Sequence, residues 1–143
     1  MTTDQTALPD CWEKFQQVLD NGIDRIILFG PPGTGKTYCG LHHGNVEAGA
    51  FRLVCTEDMT NADVTGSFML EKGDFRWVSG AALKAWNGNG TTGGRLVVDE
   101  IDKAGGDVFA TLLAMLDTPE SASWENPQNG RVHKPKAGFT AVM

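Results

Sequence analysis

The stretch GPPGTGKT, residues 30–37, follows a short apolar run and opens a helical pattern, and its reading decides the fold. It fills every position of G-x-x-x-x-G-K-[ST]. Gly30 and Gly35 let backbone N–H groups point inward at phosphate oxygens, in conformations that a Cβ would obstruct. Gly33 loosens the same turn, Pro31 and Pro32 stiffen its entry, and Thr34 completes it. A helix starting here adds free N–H groups and a dipole that favour an anion. Lys36 then reaches the outer phosphates of a nucleotide as a point charge, and the Thr37 hydroxyl is placed to ligate Mg²⁺. A dinucleotide-binding turn is excluded, because GTGKTY puts Lys36 and Tyr38 where G-x-G-x-x-G wants small residues.

The partner motif is RLVVDE, residues 95–100, an apolar strand that reads as polar only at its carboxyl end. In a parallel sheet, ligands sit beyond the carboxyl ends of the strands. Such a strand therefore delivers Asp99 and Glu100 to the edge where the glycine-rich loop lies. Asp99 is the expected Mg²⁺ partner, through a coordinated water, since Mg²⁺ gives up water reluctantly. Glu100 is the expected residue to orient and polarise an attacking water. A glutamate aimed at water argues against a small-molecule kinase, which has a hydroxyl acceptor instead.

Working outward, alternating strands and helices predict one α/β domain with a mostly parallel sheet covered on both faces. CWEKFQQVLDNG sets Trp12, Phe15, Val18 and Leu19 at helical spacing, with Asn21 and Gly22 as a stop. RIILFG reads as a buried parallel strand. KTYCGLHHGNVEAG reads as a helix weakened by Gly40 and Gly44. FRLVCT (51–56) is a second strand, and FMLEKGDFRWVSG a hairpin in which Phe75 and Trp77 alternate with polar residues and read as packed aromatics. AALKAWNGNG is a short helix. GDVFATLLAMLD places Val108, Phe109, Leu112, Leu113 and Leu116 on one face. SWENPQNGRVHKP is a polar turn-rich hairpin carrying Arg131 and His133 in solvent, and GFTAVM opens a last strand. Asp102 and Lys103 read as a cap or an ion pair at a helix start, and Asp63 as either a cap or a neighbour of the nucleotide.

The net charge of −6 argues against a general polyanion binder, so nucleic acid is an unlikely partner. No apolar run approaches the ~20 residues of a membrane span, and the first residues lack a secretory pattern. Cys11, Cys39 and Cys55 are an odd set without C-x-x-C spacing, which points to reduced thiols and a cytoplasmic setting. Cys39, His42, His43 and Cys55 fit no zinc spacing.

GPPGTGKT together with LVVDEID resembles the AAA+ ATPases. The segments CTEDMTNADVTGSF and KGDFRWVSGAALKAW, and DEIDKAGGDVFATLLAMLD followed by a polar hairpin and GF, resemble the MoxR and dynein-related branch. The likeness covers nearly the whole chain after about residue 20. It implies a P-loop three-layer α/β/α sandwich, with residues 1–22 as a helical lead-in and 23–143 as a partial ATPase core. It further implies ATP and Mg²⁺ as cofactors, with Gly30 to Thr37 as phosphate loop, Asp99 on the metal, and Lys36 and Glu100 in catalysis. A homo-oligomeric ring, often a hexamer, and a client protein, often one with a von Willebrand factor A domain, follow from the same resemblance. The family's sensor asparagine, arginine finger and helical lid find no match in this chain, so the isolated chain is expected to turn over ATP very slowly. Two other readings stay open on the residues: a nucleotide-dependent assembly module with little hydrolysis, and the motor core of a nucleic-acid helicase or loader.

Overall fold

The computed structural model describes residues 9–143; residues 1–8 of the expected lead-in lie outside the described part. The chain runs α1 (Asp10–Asp20), β1 (Arg25–Ile26), α2 (Lys36–His42), β2 (Ala50–Val54), α3 (Asn61–Thr65), β3 (Gly66–Glu71), β4 (Asp74–Ser79), α4 (Ala81–Asn87), β5 (Arg95–Asp99), a 3₁₀ turn (Ile101–Lys103), α5 (Gly106–Met115), β6 (Trp124–Glu125), β7 (Val132–His133) and β8 (Thr140–Val142). Four strands form one sheet in the order β1-β8-β5-β2. Every pairing in it is parallel, with Val54 opposite Asp99 and Val97 opposite Val142. Strands β3 and β4 form the expected hairpin, and β6 with β7 a second one.

Helices cover both faces, giving the three-layer α/β/α sandwich. On one side Leu96, Val98, Leu53 and Ala141 pack under Val64, Leu83, Trp86, Val108, Leu112 and Met115 of α3, α4 and α5. The Trp86 indole N–H donates to the Met115 carbonyl at 3.3 Å and ties α4 to α5. On the other side Phe15 of α1 and Cys39 of α2 pack on Val142, joined by Trp12, Leu19, Ile26 and Leu28. Cys39 and Cys55 thus sit in different clusters, and burial pushes both thiols up from their ordinary range. Among the described residues no helix is long and apolar enough to cross a membrane.

Several local expectations are corrected. RIILFG is not buried throughout: β1 is an outer strand, and Ile27 and Phe29 are exposed, Phe29 to 98%. At the start of the strand Arg25 caps α5, donating to the carbonyls of Leu116 at 3.0 Å and Asp117 at 3.1 Å. Helix α2 ends at His42, not at Gly49: His43 is already extended and Gly44 takes a positive φ of 84°. The buried stripe of α5 is Val108, Leu112 and Met115, while Phe109 and Leu113 are exposed; the helix is apolar on most sides, so spacing alone did not choose the inward face. Phe75 is not packed: it is 70% exposed near the end of the β3–β4 hairpin, whereas Trp77 lies against Phe68 and Trp124 at ring separations of 5.2 Å. Asp63 is a cap, closing a box with Thr60.

Strand β5 is also polar at its amino end. Arg95 is 1% exposed. Its Nη1 donates to the carbonyls of Gly40, at 3.0 Å, and His43, its Nε to Thr140 Oγ1 at 3.3 Å, and its guanidinium lies over the Phe15 ring. Burial pulls its pKa down from the ordinary arginine value. The carbonyls that end α2 are thereby anchored to the sheet.

Gly40 is a close-packing position rather than a weak spot in the helix. A Cβ there would meet Val97 at 3.2 Å and Val142 at 3.5 Å. Gly40→Leu is therefore expected to cost about 2 kcal/mol through overpacking, read as a lower urea midpoint at unchanged slope; a midpoint at or above that of the wild type would contradict this packing account.

Candidate functional site

The loop from β1 to α2, the end of β5 and the end of β2 meet at one edge of the sheet because all the strands run the same way. They line a cleft of about 420 Å³ that includes Lys36, Thr37, Arg52, Val54, Asp99 and Glu100. Gly33 and Gly35 take φ of 78° and 81°, the left-handed conformation that the loop requires and that side chains disfavour. Gly35 is the residue just before α2, so the loop turns directly into the helix.

Thr37 and Asp99 are 62 positions apart in the chain, yet Thr37 Oγ1 donates to Asp99 Oδ1 at 2.9 Å. The other carboxylate oxygen, Oδ2, accepts from Arg52 Nε at 2.6 Å. Lys36 folds over the loop, donating from Nζ to the carbonyls of Gly30 at 2.8 Å and Pro31 at 2.7 Å, and lying 3.5 Å from Thr34 Oγ1. Thr34 Oγ1 in turn donates to the Pro31 carbonyl at 2.9 Å. Pro32 lies in this turn; residues 30–34 are exposed and Gly35, Lys36 and Thr37 are partly covered.

Glu100 follows Asp99 with φ 57° and ψ 41°, an uncommon conformation for a residue with a side chain. Its carboxylate pairs with Lys103 Nζ at 2.8 Å across the 3₁₀ turn. That hydrogen bond, and then the charge of Glu100, raise the Lys103 pKa. The backbone strain turns Glu100 out of the strand line and leaves it about half exposed beside the cleft. Asp102 and Lys103 are thus part of this turn, with Lys103 in an ion pair. Arg131 and His133 lie in and beside the turn of the β6–β7 hairpin, in solvent as expected.

The residues present suit a magnesium nucleotide. Thr37 and Asp99 supply hard oxygen donors, the class that Mg²⁺ prefers. The loop's Lys36 ammonium, satisfied here by two carbonyls, is a cation that a phosphate can take over. A smaller pocket of about 270 Å³ between α1 and the loop is lined by Trp12, Leu28, Phe29, Pro31 and Cys39, an apolar setting for a flat ring. One group in the cleft, Arg52, carried no signal of its own in the sequence: it stood as one charge inside a short strand. Lys103 was legible as half of an ion pair, and the structure supplies its partner, Glu100.

A parallel sheet ending in a glycine-rich phosphate loop and an acid pair defines the P-loop ATPase class. The AAA domain family of the dynein-related subfamily, AAA_5, matches residues 25–142, and this chain belongs to it. It is 31% identical over 118 residues to Protein CbbQ of Hydrogenophilus thermoluteolus, covering 78% of this chain and 40% of that protein. The crystal structure of a candidate ATPase from Cytophaga hutchinsonii superposes with a TM-score of 0.55 at 16% identity, over 89% of this chain and 37% of that one, a likeness of fold alone. The chain therefore spans about two-fifths of the length of these relatives. The expected dynein-related branch is borne out, and AAA+ proteins generally form oligomeric rings.

The backbone of Glu100 yields a stability test. Glu100→Gly relieves a left-handed side-chain residue at the cost of an exposed ion pair, and is expected to raise stability by about 0.5–1 kcal/mol in urea unfolding. A loss of stability would show that the turn is not strained.

Proposed function

We propose that this chain is the nucleotide-binding core of a ring-forming ATPase that hydrolyses ATP to ADP and phosphate and uses the cycle to remodel a partner protein. The observation that carries the reading is the meeting of Thr37 and Asp99 at 2.9 Å beneath the phosphate loop. A hydroxyl and a carboxylate from distant parts of the chain converge where the loop delivers a phosphate chain. The family membership supports nucleotide binding, and its ring habit supports assembly around the nucleotide.

In this proposal the loop amides of residues 30–37 bind the phosphates, and Lys36 leaves the Gly30 and Pro31 carbonyls for the β- and γ-phosphate oxygens. Thr37 and Asp99 would hold Mg²⁺, which neutralises charge on the phosphates. Glu100 leaves Lys103, accepts a proton from the water that attacks the γ-phosphorus, and the bond from that phosphorus to the β-bridging oxygen breaks. Trp12 and the apolar pocket beside the loop hold the base. The partner is another protein, for which a von Willebrand factor A domain is the candidate class, and the ring is taken as a hexamer.

A second reading, an ATP-dependent assembly module with little turnover, is favoured by one feature of the cleft: Lys36, Asp99 and Glu100 are all already engaged by neighbours. Turnover by the wild type and by one variant separates the two readings. In the complete protein, Glu100→Gln is expected to keep ATP affinity within a few-fold while phosphate release falls by about 10²-fold or more. Full turnover in that variant would remove Glu100 from the chemistry. No turnover in the wild type, with ATP but not ADP driving oligomerisation, would select the assembly module.

A further inference from the structure

Arg52 is the one cation in the cleft bound to the carboxylate that the proposed function assigns to the metal. Strand β2 is the outer strand of the sheet on its side, and Arg52 lies opposite Val97, two residues before the Val54–Asp99 pair. From there its side chain runs along the strand end and its Nε meets Asp99 Oδ2 at 2.6 Å. Both oxygens of Asp99 then have a partner, Thr37 on one and Arg52 on the other. Among the described residues Arg52 makes no other side-chain hydrogen bond or ion pair. Its side chain is half exposed while that of Asp99 is mostly covered, so the guanidinium can swing into solvent and the carboxylate cannot follow it.

We propose that Arg52 is a built-in counter-ion for Asp99 that competes with the divalent cation. While no metal is bound, the guanidinium balances a largely covered carboxylate and keeps it aimed at Thr37. When the metal arrives with nucleotide, two positive centres cannot share one carboxylate edge without repulsion, so Arg52 is displaced. Metal affinity is thereby lowered, and departure of the metal after hydrolysis is assisted by a cation waiting to take its place. Arg52 is a positioning residue in this scheme, acting through Asp99. The inference rests on the assignment of Asp99 to the metal.

The test measures ADP affinity of the full chain by calorimetry in excess Mn²⁺ and again in EDTA, and takes the ratio as the metal-linked gain. In Arg52→Gln the ratio is expected to rise roughly three- to tenfold, because the competing charge is gone. Arg52→Lys, which keeps the charge, is expected to stay within about twofold of the wild type. A role for Arg52 in merely holding the strand end would move both ADP affinities together and leave the ratio unchanged. An unchanged or smaller ratio in Arg52→Gln overturns the proposal. Asp99→Asn is expected to collapse the ratio toward one in either background. A wild-type ratio in Asp99→Asn would overturn the metal assignment itself, an outcome distinct from failure of the Arg52 variants.

Discussion

Parallel pairing of β1, β8, β5 and β2 is the constraint on which the rest of the structure depends. It sends every strand's carboxyl end to one edge, so that a loop after β1 and an acid pair after β5 must become neighbours. The 2.9 Å bond from Thr37 to Asp99 is the local consequence. It joins the first turn of α2 to the end of the strand that α2 packs on. The close approach of Gly40 to Val97 and Val142 and the grip of Arg95 on the end of the same helix hold that alignment from the far side. The site is positioned by a helix fastened at both its ends to the sheet.

Each charged group of the cleft has a partner within the chain. Lys36 is satisfied by loop carbonyls, Asp99 by Arg52 and Thr37, and Glu100 by Lys103. Each arrangement leaves a charged group near the place where a nucleotide would use it, at the cost of an exchange of partners on binding. Arg52, Glu100 and Lys103 are about half exposed, where ion pairs are weak, while Asp99 is mostly covered. They therefore bias the resting geometry without locking it. The strained backbone at Glu100 belongs to the same arrangement, since an unstrained residue would continue the line of β5 away from Lys103.

Much of this was legible in the amino-acid order, where a motif carries its own geometry. GPPGTGKT and RLVVDE specify a turn and a strand end, which the sheet brings together. The β3–β4 hairpin was readable from alternation around Lys72 and Gly73. What escaped local reading depends on which neighbour covers which face. Ile27 and Phe29 are as apolar as Ile26 and Leu28, but only the latter pair packs against the cluster of Phe15, Cys39 and Val142. Phe109 and Leu113 match the spacing of the buried stripe and lie outside it. Arg95 and Arg52 are single charges in short strands, and nothing adjacent in the chain distinguishes the buried helix anchor from the half-exposed partner of Asp99.

The most direct test of the central claim is calorimetric titration of ATP into the chain with Mg²⁺, repeated on Lys36→Ala. The account predicts one site per chain in the wild type and loss of saturable binding when the loop's ammonium is removed. Binding that is absent in the wild type, or undiminished in Lys36→Ala, would contradict the claim that this edge of the sheet is where the molecule holds a nucleotide.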